Sequence, residues 1–123
     1  MDRIVREIEV AGRTLTALFD TGSQRSYIRA DVAPPSSRAV PPIRVGLGGE
    51  FRQLDTRCDL TAKIDGLEFD MTVYVVGELG ETEHGRLDAI VGAMTMEEWW
   101  IKVDPRAGEL DLAGLRRREF TEY

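Results

Sequence analysis

The residues of this sequence best placed to do chemistry are Asp20-Thr21-Gly22-Ser23, which follow directly on an apolar run ending in Leu18-Phe19. Such a run buries a strand end and holds the next carboxylate against a wall of low dielectric. Gly22 permits a turn that a side chain would block and lets another chain pass close by. The Thr21 hydroxyl can bond across to neighbouring backbone, and the Ser23 hydroxyl can donate to the outer carboxylate oxygen. One carboxylate cannot act at once as base toward a water and as acid toward a carbonyl. That work needs two carboxyl groups sharing a proton. The motif occurs once in 123 residues, so the second Asp20 must come from an identical subunit across a two-fold axis.

The elements that must position this loop are mostly strands. Residues 3–10 read as a strand, Ala11-Gly12-Arg13 as a hairpin turn, and 14–19 as the strand that delivers Asp20. Ser26-Tyr27-Ile28 is a short strand. Residues 33–42 hold Pro34, Pro35, Pro41 and Pro42 and read as a surface loop. Residues 43–70 alternate, with a glycine-rich interruption at Gly46-Leu47-Gly48-Gly49. Asp65-Gly66 is a two-residue hairpin signal, and Leu67, Phe69, Met71, Val73 and Val75 then share one strand face. Residues 77–86 read as a flexible polar loop. Ala89-Ile90-Val91 is a buried run ended by Gly92, followed by the one helix expected, from Ala93 to about Trp100. A turn at 104–108 and a strand at 109–112 close a single domain over 1–115. Residues 116–123 form a charged tail, a candidate for disorder. The whole is mainly β, a small closed or rolled sheet with one short helix near the C-terminus.

Composition narrows the function classes. With 42% hydrophobic and 31% charged residues the chain is an ordinary globular one. A net charge of −6 argues against nucleic acid as a partner. No 18-residue apolar run is present, so no membrane segment is expected. The single cysteine, Cys58, allows no internal disulfide and reads as a small, partly buried apolar residue, which suits a cytoplasmic location. His84 sits among Glu81, Glu83 and Arg86 as a solvated side chain. Glu81, Glu83, His84 and Asp88 match no metal-ligand spacing, and neither metal nor cofactor is expected. Trp99 and Trp100 read as helix packing, and Arg116-Arg117-Arg118 as a solvated run.

Three features in order resemble the retropepsin-like aspartic proteases. They are Leu18-Phe19-Asp20-Thr21-Gly22-Ser23 behind a hairpin, Val45-Gly46-Leu47-Gly48-Gly49-Glu50-Phe51, and Ala89-Ile90-Val91-Gly92 before a short helix. The resemblance spans residues 3–112 and implies a retropepsin-type β-barrel acting as a homodimeric endopeptidase on peptide or protein substrates. It implies that Asp20 is catalytic and that activity peaks at mildly acidic pH. Thr21, Gly22 and Ser23 would form the active-site loop, with Thr21 bonding across the dimer axis. Val45, Gly46, Leu47, Gly48 and Gly49 would be the flap that covers substrate, and Ile28 and Ile90, with Val45 and Leu47, its apolar pockets. Viral members carry an arginine that braces the dimer where this chain has Ala93. The stretch Ile101-Lys102-Val103-Asp104-Pro105 through Gly108-Glu109-Leu110 looks like the hairpin of cellular and bacterial relatives. A non-catalytic or weakly active dimerisation or peptide-binding module that keeps the fold is the competing reading.

Overall fold

The structure, a computed structural model, describes residues 3–122. Strands β1 (Arg3–Val10) and β2 (Arg13–Asp20) form an antiparallel hairpin in register from Arg3↔Asp20 to Val10↔Arg13. The start of β1 therefore lies beside the aspartate. After the β2–β3 loop come β3 (Ser26–Arg29) and a 3-10 turn at Ala30–Val32. Two long hairpin partners follow, β4 (Arg38–Leu47) and β5 (Glu50–Ile64), and then β6 (Leu67–Val76). Asp65-Gly66 forms the β5–β6 turn with φ of 49° and 78°, the paired positive values that match the strands' twist.

The short strand β9 (Ala89–Val91) lies between β2 and β3, parallel to the first and antiparallel to the second. The order β1-β2-β9-β3-β6-β5 closes on itself where Glu9 and Val10 of β1 pair with Lys63 and Ala62 of β5. The result is a ring of strands from which β4 and the first half of β5 project as a hairpin. As a strand with neighbours on both sides, β9 is buried throughout, which is why it is a continuous apolar run.

Alternation divides the apolar residues into two clusters. Leu15, Ala17 and Phe19 of β2 face the main core with Ile28, Phe69, Val73 and Val91. Leu18 faces a second cluster with Tyr27, Val45, Leu54, Tyr74 and Ile90, against which Leu47 packs.

Outside the ring, α1 (Ala93–Glu98) follows β9, and β10 (Lys102–Asp104) and β11 (Glu109–Asp111) form a small hairpin around the expected turn. The loop expected at 77–86 contains a second small hairpin, β7 (Glu81–Thr82) with β8 (Gly85–Arg86).

Two further expectations are corrected. Pro41 and Pro42 lie inside β4 and not in a surface loop. Between the pairs Ala39↔Thr56 and Ile43↔Leu54, β4 takes four steps against two on β5, and the prolines occupy that bulge on an edge strand. The helix expected near the C-terminus is also not alone. Helix α2 (Ala113–Arg117) runs through the boundary expected at 115, with Asp111 Oδ1 accepting from Ala113 N at 3.0 Å. Its single anchor is Leu115, 1% exposed, whose burial contributes about 2 kcal/mol. Beyond it Arg118 bonds the Glu68 carbonyl and lies over the Trp99 ring at 5.1 Å, and Phe120 meets that ring edge-on at 5.6 Å. The tail thus packs on its own domain.

Candidate active-site loop

Asp20 is the last residue of β2 and only 8% exposed. Phe19 in the main core and Leu18 in the second cluster hold the strand end from both faces. The chain then turns sharply, with Ser23 N bonding Asp20 O at 3.1 Å and Gly22 N donating to Asp20 Oδ1 at 2.9 Å. The carboxylate is oriented by this amide. Among the described residues the Ser23 hydroxyl makes no bond to it. Thr21 and Gly22 are exposed beside Asp20.

The loop is fixed from behind by the segment after β9. Gly92 N donates to Ser26 Oγ at 2.9 Å, and the Ser26 and Thr95 hydroxyls share a bond of 3.0 Å. Ala93 N donates to Ser23 O at 2.7 Å and Met94 N to Gln24 O at 3.1 Å. The first amides of α1, which have no partner within the helix, are thereby satisfied by the loop. Ala93 enters this set through its backbone N–H alone.

A second brace lies at the other end of β9. Asp88 N bonds Thr16 O at 2.9 Å, Thr16 N bonds Asp88 Oδ2 at 2.8 Å, and Arg29 N bonds Asp88 O at 2.8 Å. The Arg29 guanidinium reaches Asp88 Oδ1 at 2.8 Å and also pairs with Asp31. This network ties β2 to β3 across β9, and nothing in the sequence pattern announced it. The hydrogen bond from Arg29 lowers the Asp31 pKa, and the same bond raises that of Arg29 against the opposing effect of burial. The Thr72 hydroxyl and then Arg38 lower that of Asp59.

Two predictions follow from these carboxylates and this brace. Arg29→Met should cost about 3 kcal/mol in urea unfolding, because it strands the largely buried Asp88 charge. Adding Asp88→Asn should recover part of that loss, since the amide oxygen still accepts from Thr16 N; no recovery would assign the cost to packing instead. Asp31 and Asp59 ionise more readily folded than unfolded. Their contribution is present above the ordinary carboxylate value of about 4 and is lost as pH falls through their depressed values. Urea midpoints should therefore drop between about pH 5 and pH 2, and a flat profile would contradict this.

The expected flap residues fall on the β4–β5 hairpin. Gly48 and Gly49 form its tip with φ of 59° and 83°, between the paired Leu47 and Glu50. Such values suit glycine and are strained for other residues. Val45 and Leu47 face inward onto the second cluster, and Gly46 faces outward opposite Phe51. Ile90 joins Val45 and Leu47 in that cluster, beside a cavity of about 230 Å³ bordered by Leu47, Leu79 and Ile90.

Ile28 does not join them: it is fully buried in the main core. Its neighbour Tyr27 occupies the face assigned to it, because successive strand residues point to opposite sides. Burial raises the Tyr27 phenol, with Arg25 opposing. Leu18, Tyr27 and Leu79 were the residues missed, and strand parity was the signal that could have found the first two.

Cys58 is fully buried, with Sγ 3.3 Å from Ser36 Oγ. His84 is exposed. Trp99 packs against the core and Trp100 is 48% exposed. No group of three His, Cys, Asp or Glu side chains converges among the described residues. No helix among them is long and apolar enough to cross a membrane. Neither the models of known protein families nor the curated proteins match this sequence.

Proposed function

We propose that the chain is an aspartic endopeptidase of the retropepsin type, active as a homodimer in the cytoplasm. Asp20 of each copy would share one proton with its partner, activate a water against a peptide carbonyl, and return a proton to the leaving nitrogen. The observation that carries this reading is the setting of Asp20: a largely buried carboxylate at a strand end, oriented by Gly22 N–H, in a loop whose Thr21 and Gly22 remain exposed. The glycine-tipped hairpin supports it, since its inner face closes over apolar residues of the same cluster that holds Leu18 and Ile90. A peptide would lie under it as an added strand.

The reading makes activity a property of the dimer. Specific activity on a peptide library should rise with protein concentration in step with the monomer–dimer transition seen by sedimentation, and a statine-type inhibitor should suppress it. A monomer at micromolar concentration that cleaves nothing would favour the non-catalytic module. Constant specific activity across a measured dissociation would remove the shared site.

A further inference from the structure

Strand β6 is paired unevenly on its two sides. β5 pairs with residues 67–74 of it, but β3 pairs only with residues 73–76. Among the described residues, no strand lies along residues 67–72 on the side away from β5. Such an edge presents unpaired backbone groups to any extended chain that approaches it. Here two of those groups are capped by side chains. Trp99 Nε1 donates to Asp70 O at 2.8 Å, and the Arg118 guanidinium donates to Glu68 O. The caps also hold each other: Arg118 lies over the Trp99 ring at 5.1 Å, and Phe120 meets that ring edge-on at 5.6 Å. Trp99 packs on the main core, Phe120 stays half exposed, and Leu115 is the one buried side chain of α2.

We propose that the segment from α2 to Phe120 is a strap that closes this edge, with Trp99 as its latch, and keeps β6 from pairing with a second copy of the chain. A second copy is the matching occupant because two such edges, set antiparallel about a two-fold axis, complement each other's backbone groups. Phe69 and Met71 are committed to the main core, and Glu68, Asp70 and Thr72 point to solvent. The carboxylates of Glu68 and Asp70 repel their counterparts on another copy, which weakens that pairing without satisfying the backbone. The strap puts the backbone out of reach. It is held by one buried leucine, the Arg118 hydrogen bond and two ring contacts, so it opens more readily than the ring of strands.

The test compares the full chain with a chain ending at Arg117, which keeps Leu115 and loses Arg118 and Phe120. A full-length double variant, Arg118→Ala with Phe120→Ala, leaves α2 whole and decides the matter if the shortened chain is unfolded by circular dichroism. Exchange of the Trp99 indole hydrogen, followed by NMR, should quicken about tenfold or more in both, while that of Trp100 stays as it was. At equal concentration, sedimentation should show species larger than any formed by the full chain, and salt should favour them by screening the carboxylates. Adding Asp70→Pro should restore the full chain's distribution. The Asp70 carbonyl meets Trp99 and so points away from β5; its N–H does the same, and proline there breaks no bond to β5. Unchanged Trp99 exchange overturns the latch. Larger species that survive Asp70→Pro place the association elsewhere and overturn the guard, as does a distribution that never departs from the full chain's.

Discussion

Asp20→Asn is expected to lower peptide cleavage by about 10³-fold or more while leaving the chain folded. The amide keeps the shape of the carboxyl group, and its oxygen can still accept from Gly22 N–H, now at 2.9 Å. On the proposed reading, what disappears is the charge that would activate water and the proton that the pair would share. Thermal unfolding followed by circular dichroism should therefore move little, and cleavage should vanish. A stronger form mixes the variant in excess with wild type. If each active site needs two Asp20 residues, the variant draws wild-type chains into incomplete pairs and activity falls faster than dilution alone explains. Cleavage that survives the substitution in the purified chain would sink the proposal outright.

The second large effect is expected at a residue with no reactive group. Gly92→Ala would place a Cβ 2.2 Å from Arg25 O, 2.7 Å from Arg25 C and 2.9 Å from Gln24 O. All three are backbone atoms, so no side chain can swing aside. Gly92 has φ −92°, which any residue adopts, and the penalty is steric alone. Relief requires the β2–β3 loop to part from α1, breaking the bonds from Gly92 N to Ser26, Ala93 N to Ser23 and Met94 N to Gln24. A loss of about 3 kcal/mol is expected, with cleavage falling further than the folded fraction because the loop bearing Asp20 is displaced. Gly77→Ala is the control: it meets nothing within 4 Å and should stay within about 0.5 kcal/mol of wild type. Equal stability of the two variants would contradict the packing described at Gly92.

Much of this was legible in the sequence because it depends on local rules. Asp65-Gly66 and Gly48-Gly49 specify turns through the backbone angles they tolerate, and β9 reads as a buried strand because it is apolar throughout. The Asp20 loop was legible for the same reason, as a polar motif set directly on an apolar strand end. What was hidden depends on partners distant along the chain. Pro41 and Pro42 look like strand breakers until β5 supplies a neighbour that tolerates the bulge. Tyr27 and Ile28 differ only in parity, and one residue of phase decides which cluster each enters. Helix α2 has a single buried side chain, too little for a periodic signal. Arg29 and Asp88 stand 59 positions apart and meet only because β9 inserts between β2 and β3.

Strand β5 has a mechanical consequence. Its fifteen residues pass without interruption from the projecting hairpin, where Leu54 lies in the second cluster, into the ring, where Cys58, Leu60, Ala62 and Ile64 lie in the main core. Its partner β4 is broken at the proline bulge. The hairpin is thus a lever with one rigid arm and one jointed arm, and its fulcrum is built into the ring. Lifting the tip loads β5 along its length, and the load is felt at the seam with β1, the two residue pairs Glu9↔Lys63 and Val10↔Ala62 that adjoin the β1–β2 turn. Stiffening the bulge or loosening that seam would alter how far the tip travels without touching a residue near Asp20.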